Sequence, residues 1–145
     1  MDNNKLIELF EYALESENSE TVDEAVNESL SIDNPEDVTP YLVQLLESPW
    51  HFGHEDITLV LQRIGDPRAT EVLLKTATRK FEYLEYDDSK SLSRKCTWAL
   101  ADIGTKESKE ALKVLAKKQD NEIAEFAQKR LDNWEHELAR KKHCC

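Results

Sequence analysis

Five groups of residues in this chain have the types and spacing to do chemistry. His54-Glu55 sets a base beside a carboxylate, as a metal site or a general base would require, but position 58 is Thr58, so the H-E-x-x-H zinc arrangement is absent. Cys96 is a candidate nucleophile, and His143-Cys144-Cys145 at the end of the sequence could chelate a metal. Trp50-His51 directly follows Ser48-Pro49, where a tryptophan either plugs a loop or anchors a partner. Tyr86-Asp87-Asp88 places an aromatic ring beside two carboxylates, which suits recognition of a basic protein and equally a solvated loop.

Each reactive reading has a plainer rival. Cys96 falls on an apolar stripe with Leu92, Leu100 and Ile103, the setting of an inert core thiol. Glu55 and Asp56 fall in the first turn of a predicted helix, where the macrodipole favours negative charge. A frayed tail accounts for residues 136–145. Three glycines cannot build a phosphate-binding loop, and no G-x-S-x-G occurs. The expectation is therefore a protein that is not an enzyme, with no catalytic residue, no metal ligand set and no cofactor.

The elements that position these residues are helices. Apolar positions recur near a period of 3.6 as Leu6, Leu9, Phe10, Ala13, Leu14, then Val22, Ala25, Val26, Leu30, then Val38, Tyr41, Leu42, Leu45, Leu46. The pattern continues through Ile57, Val60, Leu61, Ile64, then Val72, Leu73, Thr76, Ala77, Phe81, then Leu92, Cys96, Ala99, Leu100, Ile103. It ends on Ala111, Leu112, Leu115 and on Ile123, Ala127, Leu131, Trp134. With 3 Gly and 4 Pro in 145 residues, turns are too scarce for an all-β chain, and an all-α single domain over 1–145 is expected. No run of 18 apolar residues occurs, so no membrane helix is expected, and no secretory signal is visible at Met1-Asp2-Asn3-Asn4-Lys5. Three scattered cysteines make no disulfide framework and point to the cytoplasm.

Internal repetition is visible in the connections. In Ile64-Gly65-Asp66-Pro67, Gly65 suits a left-handed helix end, Asp66 an N-cap and Pro67 a first helical turn. A shift of 39 residues lays Ile103-Gly104-Thr105 over Ile64-Gly65-Asp66, Leu100 over Leu61 and Trp98 over Leu59. A shift of 32 lays Ile32-Asp33-Asn34-Pro35 over Ile64-Gly65-Asp66-Pro67. Helical units repeating at this spacing are the mark of a stacked α-solenoid. Leu59, Trp98 and Phe126 fall at corresponding places, which predicts a packing ladder between repeats.

Charge is unevenly distributed. Residues 1–60 carry 15 acids against Lys5 alone, a balance of −14, whereas residues 61–145 carry 15 acids and 18 bases, a balance of +3. Such a surface repels nucleic acid and attracts basic partners, unless the acids serve solubility alone.

Leu61-Gln62-Arg63-Ile64-Gly65-Asp66-Pro67-Arg68-Ala69 and Ala99-Leu100-Ala101-Asp102-Ile103-Gly104-Thr105 resemble HEAT-like repeats of the phycobilisome-lyase type. The resemblance covers residues 22–131 and implies a short right-handed solenoid of about four helical hairpins. HEAT-repeat deoxyhypusine hydroxylases bind di-iron through His-Glu pairs on several helices, but here Ser93-Arg94 stands one repeat after His54-Glu55. A HEAT-like DNA glycosylase needs a cationic groove, which residues 1–60 do not supply. A longer string is Trp50-His51, His54-Glu55-Asp56-Ile57, Leu61-Gln62-Arg63, Tyr83-Leu84, Tyr86-Asp87 and Arg94-Lys95-Cys96-Thr97-Trp98-Ala99-Leu100. It resembles small bacterial HEAT-repeat proteins of polymorphic-toxin and contact-dependent-inhibition loci, which are immunity proteins. The resemblance implies a cytoplasmic protein that occludes the cleft of a basic, nuclease-type toxin domain, with no nucleic-acid or membrane partner. Its expected contacts are Trp50, His51, His54, Glu55, Asp56, Tyr86, Asp87 and Asp88, with Arg94 and Lys95 holding the carboxylates or meeting the partner. A general scaffold is the second expectation, and a lyase or hydroxylase the third.

Overall fold

The computed structural model describes residues 1–85 and 90–136, and among these every regular element is a helix. The α-helices are α1 (Asn3–Ser16), α2 (Ser19–Glu28), α3 (Thr39–Glu47), α4 (His54–Ile64), α5 (Thr70–Thr78), α6 (Ser91–Ile103), α7 (Lys106–Ala116) and α8 (Asn121–Asp132). Short 3-10 turns occupy Ser29–Ser31, Pro35–Val38, Pro67–Ala69 and Glu82–Leu84. None of the described helices is long and apolar enough to cross a membrane.

Local chemistry sets the helix ends. Asp2 Oδ1 accepts from the Lys5 amide at 2.8 Å, and Asn18 Oδ1 from the Thr21 amide at 2.9 Å, so α1 and α2 begin on side-chain caps. Thr105 and Ser108 form a reciprocal capping box at α7, and Asp120 caps α8. Helices α4 and α6 both end on a left-handed glycine, Gly65 and Gly104, each at φ 70°. A residue with a Cβ is strained in that conformation, so the glycines are the chemistry that stops the two helices.

The helices pair along the chain as α1 with α2, α3 with α4, α5 with α6 and α7 with α8. Odd-numbered helices also pack on one another in order, as do even-numbered ones, and α6 additionally touches α7. One continuous core results, from Leu6 and Phe10 through Leu42, Leu45, Leu61 and Leu73 to Leu100, Leu112 and Ala127. Phe10 and Tyr41 stack at 5.9 Å between α1 and α3. Helices α4 and α6 are joined by two polar rungs, Glu55–Lys95 at 3.4 Å and Gln62 Nε2 donating to Asp102 at 2.8 Å.

The 32-residue correspondence holds in part. Pro35 and Pro67 each open a 3-10 turn that leads into a helix, α3 and α5. The residue with positive φ, however, is Asn34 (53°), not Asp33, so the register slips just before the proline. Leu30 departs from its expected stripe for a related reason. Helix α2 ends at Glu28, and the tighter 29–31 turn rotates Leu30 outward.

Candidate functional site

The connection from α3 to α4 gathers three of the expected contacts, and two of them lie inside the protein. His51 and His54 are fully buried, with rings stacked 4.1 Å apart and 16° from parallel. Their hydrogen bonds fix the protonation of His51 and constrain that of His54. His51 Nε2 lies 2.6 Å from the Leu45 carbonyl, which only accepts, so Nε2 carries the proton and Nδ1 accepts from the Gly53 amide at 3.0 Å. His54 Nε2 lies 2.7 Å from the Ser48 carbonyl and must likewise donate, leaving Nδ1 to accept from the Tyr83 hydroxyl at 2.6 Å. His51 is therefore neutral by its hydrogen bonds and His54 by its burial, and the rings donate to the Leu45 carbonyl, which also accepts from the Ser48 amide, and to the Ser48 carbonyl just beyond α3.

Burial is the main force holding both histidines uncharged. It lowers His51 from its ordinary value, with the Leu45 carbonyl and Asp23 opposing. It lowers His54 to about 4, helped by the neighbouring His51 and by Arg79. Neither ring is exposed in this arrangement. Their burial also separates His54 from Glu55 functionally. Glu55 turns to Lys95 on α6, and the described residues contain no group of three or more His, Cys, Asp or Glu able to hold a metal.

Around this pair the chain builds an aromatic cluster. Phe81 lies 4.0 Å from the His54 ring, and Trp50, half-buried, meets His51 edge-on at 5.2 Å. Arg79 sits 4.8 Å above Phe81 while its Nη1 donates to the Glu47 carbonyl at 2.7 Å, a third side chain at the end of α3. Phe52, flanked by the two histidines in sequence, is 68% exposed and rests edge-on against Tyr83 at 5.2 Å. A shallow groove of about 480 Å³ runs beside it, between Pro49, Phe52, Arg79, Lys80 and Tyr83.

The remaining expected contacts are distributed as follows. Asp56 and Arg94 are exposed, and Glu55 and Lys95 are half-buried and paired with each other. Tyr86, Asp87 and Asp88 lie outside the described residues, as does His143-Cys144-Cys145. Cys96 is wholly buried, and burial pushes its thiol up to about 12 against a hydrogen bond with Thr58, which disfavours the thiolate there. Of the residues expected in a ladder, Leu59 is 38% exposed and Trp98 and Phe126 are half-buried, and the Trp98 ring is covered by the Arg130 guanidinium at 3.6 Å.

The acidic bias becomes a surface. Of the 15 acids in residues 1–60, all but Glu28 and Glu55 are exposed, and among the described residues Glu55 alone of them is ion-paired. Tyr12, 56% exposed on α1, stands among Glu8, Glu11 and Glu15. Sequence reasoning passed over Tyr12 and Phe52. Tyr12 was legible, since it lies about 200° around the helix from Phe10 on the wheel. Phe52 was not, because a loop has no periodicity from which exposure can be read.

The chain matches no protein-family model, no curated protein and no solved structure.

Proposed function

We propose that this protein is a non-enzymatic inhibitor that binds a cationic protein domain, and specifically an immunity protein that covers the substrate cleft of a basic, nuclease-type toxin. The observation that carries this reading is the set of exposed, unpaired carboxylates along residues 1–60, with Tyr12 among them as an aromatic anchor. Substrate clefts of nucleases are cationic because they hold phosphates. An inhibitor with this surface is steered toward such a cleft and competes for it, while a buried aromatic ring slows its escape.

In this reading the helices form a short right-handed solenoid of about four HEAT-like hairpins. The successive pairing of helices, the matched ends at Gly65 and Gly104, and the matched turns at Pro35 and Pro67 support it. The same surface would serve a general scaffold for basic proteins in the cytoplasm, the second reading.

Co-expression separates the two. The reading frame beside this gene should encode a domain that arrests growth alone and is neutralised by this protein. Association of the purified pair should slow steeply as salt rises from about 10 to 150 mM, as the screening length falls from roughly 30 to 8 Å. Replacing Glu8, Glu11 and Glu15 by Gln should slow association and leave the helical spectrum intact. Neutralisation that survives unchanged in that variant, with unchanged kinetics, refutes the electrostatic part of the proposal. A neighbouring domain that is not toxic leaves the scaffold.

A further inference from the structure

We propose that the stacked His51–His54 pair is an acid-operated latch, which holds the 48–53 connection and its exposed Phe52 against the Glu82–Leu84 turn at neutral pH and releases them when an imidazole takes up a proton. The latch is defined by its hydrogen bonds. All four ring nitrogens are engaged, with the carbonyls of Leu45 and Ser48, the amide of Gly53 and the hydroxyl of Tyr83. This set holds His51 as a neutral ring bearing Nε2–H and has His54 donate from Nε2.

The two nitrogens open to protonation answer it differently. His54 Nδ1 faces a hydroxyl, which can turn and accept, at the cost of the hydrogen bond it now donates. His51 Nδ1 faces the Gly53 amide at 3.0 Å, a donor that cannot turn. A proton there sets two N–H groups head to head, so the 51–53 backbone must swing away. Stacking at 4.1 Å also ties the rings together, since two enclosed imidazolium ions at that distance repel.

The charged and titratable groups facing the pair come from three elements. From α2, Asp23 approaches Gly53 and favours charge on His51. After α5, Arg79 opposes charge on His54. From the Glu82–Leu84 turn, Tyr83 supplies the hydroxyl. Helix α3 contributes the carbonyl of Leu45, and the connection after it that of Ser48. Desolvation outweighs Asp23, so protonation is deferred below the ordinary histidine range and is then satisfied by opening. Because Phe52 leans on Tyr83 and Trp50 on His51, the opening re-aims both rings. The remaining helices have no part in the pair and keep their fold.

Two measurements on the intact chain test this. Long-range nitrogen–proton NMR of the ring nitrogens at pH 7.5 should show both histidines as Nε2–H tautomers. Amide hydrogen exchange, corrected for its intrinsic pH dependence, should then be followed to pH 5.5. Opening linked to one proton should raise exchange in 48–54 and 81–84 about tenfold per pH unit below the ordinary histidine pKa, with α1, α7 and α8 unchanged. A His51→Gln, His54→Gln variant keeps a donor near each Nε2 position without a titrating ring, and its exchange should not respond to acid. Nδ1–H tautomers or a flat exchange profile in the native chain overturns the proposal, with no variant needed. Exchange rising equally in all helices overturns it too, because that is global unfolding. An acid response persisting in the double variant does the same.

Discussion

Leu100 on α6 tests the packing argument most severely. It is fully buried, on a helix that packs against α4, α5, α7 and α8. Leu100→Ala removes three methylene-sized groups from the one continuous core, on a helix held by four others, which limits how far the gap can close. Leucine truncations of this kind cost about 2–5 kcal/mol, and confinement places Leu100 in the upper half, roughly 3–5 kcal/mol. For a chain of this length, a loss of about 4 kcal/mol lowers Tm by roughly 8–16 °C. Urea unfolding followed by circular dichroism measures the change directly, with Leu59→Ala as the control. Leu59 is 38% exposed on the neighbouring α4, and its truncation should cost below about 1 kcal/mol. If both truncations cost the same, or Leu100→Ala leaves the midpoint in place, α6 is not the centre of the core.

Gly104→Ala places a Cβ at φ 70° and should cost about 1–2 kcal/mol in denaturant melts, with Gly104→Asn recovering part of it. Acid should destabilise the fold through the histidines. His54 titrates near 4 when folded and near its ordinary 6.5 when unfolded, so the unfolded chain takes up the proton first. Stability from this source is complete above pH 6.5 and is lost as pH falls toward 4. The loss is about 2–3 kcal/mol with allowance for solvent screening, His51 shifts the same way, and urea midpoints between pH 7.5 and 5.5 should show the slope. Lys95→Ala breaks a half-buried surface pair and should cost no more than about 1 kcal/mol by the same melts, which a larger loss would contradict.

The helices were legible because their periodicity and their punctuation agree. Gly65 and Gly104 could be placed at helix ends from neighbouring residues alone, since a short polar capping residue follows each. Leu30 could not be placed, because a 3-10 turn mimics the end of an α-helix in sequence while rotating its side chains differently. The histidines mark a deeper limit. A buried imidazole that caps a carbonyl and one that ligates a metal have the same residue type and the same helical neighbours. What separates them is whether the ring nitrogens point at backbone or at open space. His51 reaches Leu45 O and His54 reaches Ser48 O across six residues of chain, through a loop whose path no local pattern specifies.

The charge asymmetry becomes more pointed once partners are assigned. Four of the five ion pairs among the described residues, Asp66–Arg68, Glu71–Lys75, Lys90–Asp120 and Glu110–Lys113, join residues beyond position 60. Only Glu55–Lys95 draws on the acidic segment. Ion pairing among the described residues thus falls mainly beyond position 60, while the acids of α1 and α2 have no ion-pair partner there and repel one another in the free protein. Screening should therefore act with opposite signs on two properties. Raising salt to about 150 mM should stabilise the free protein, because it relieves self-repulsion, and should weaken its association with a cationic partner, because it removes steering. A surface evolved only for solubility predicts the first effect without the second. A surface whose repulsion is relieved by binding predicts both, and neutralising Glu8, Glu11 and Glu15 should diminish them together.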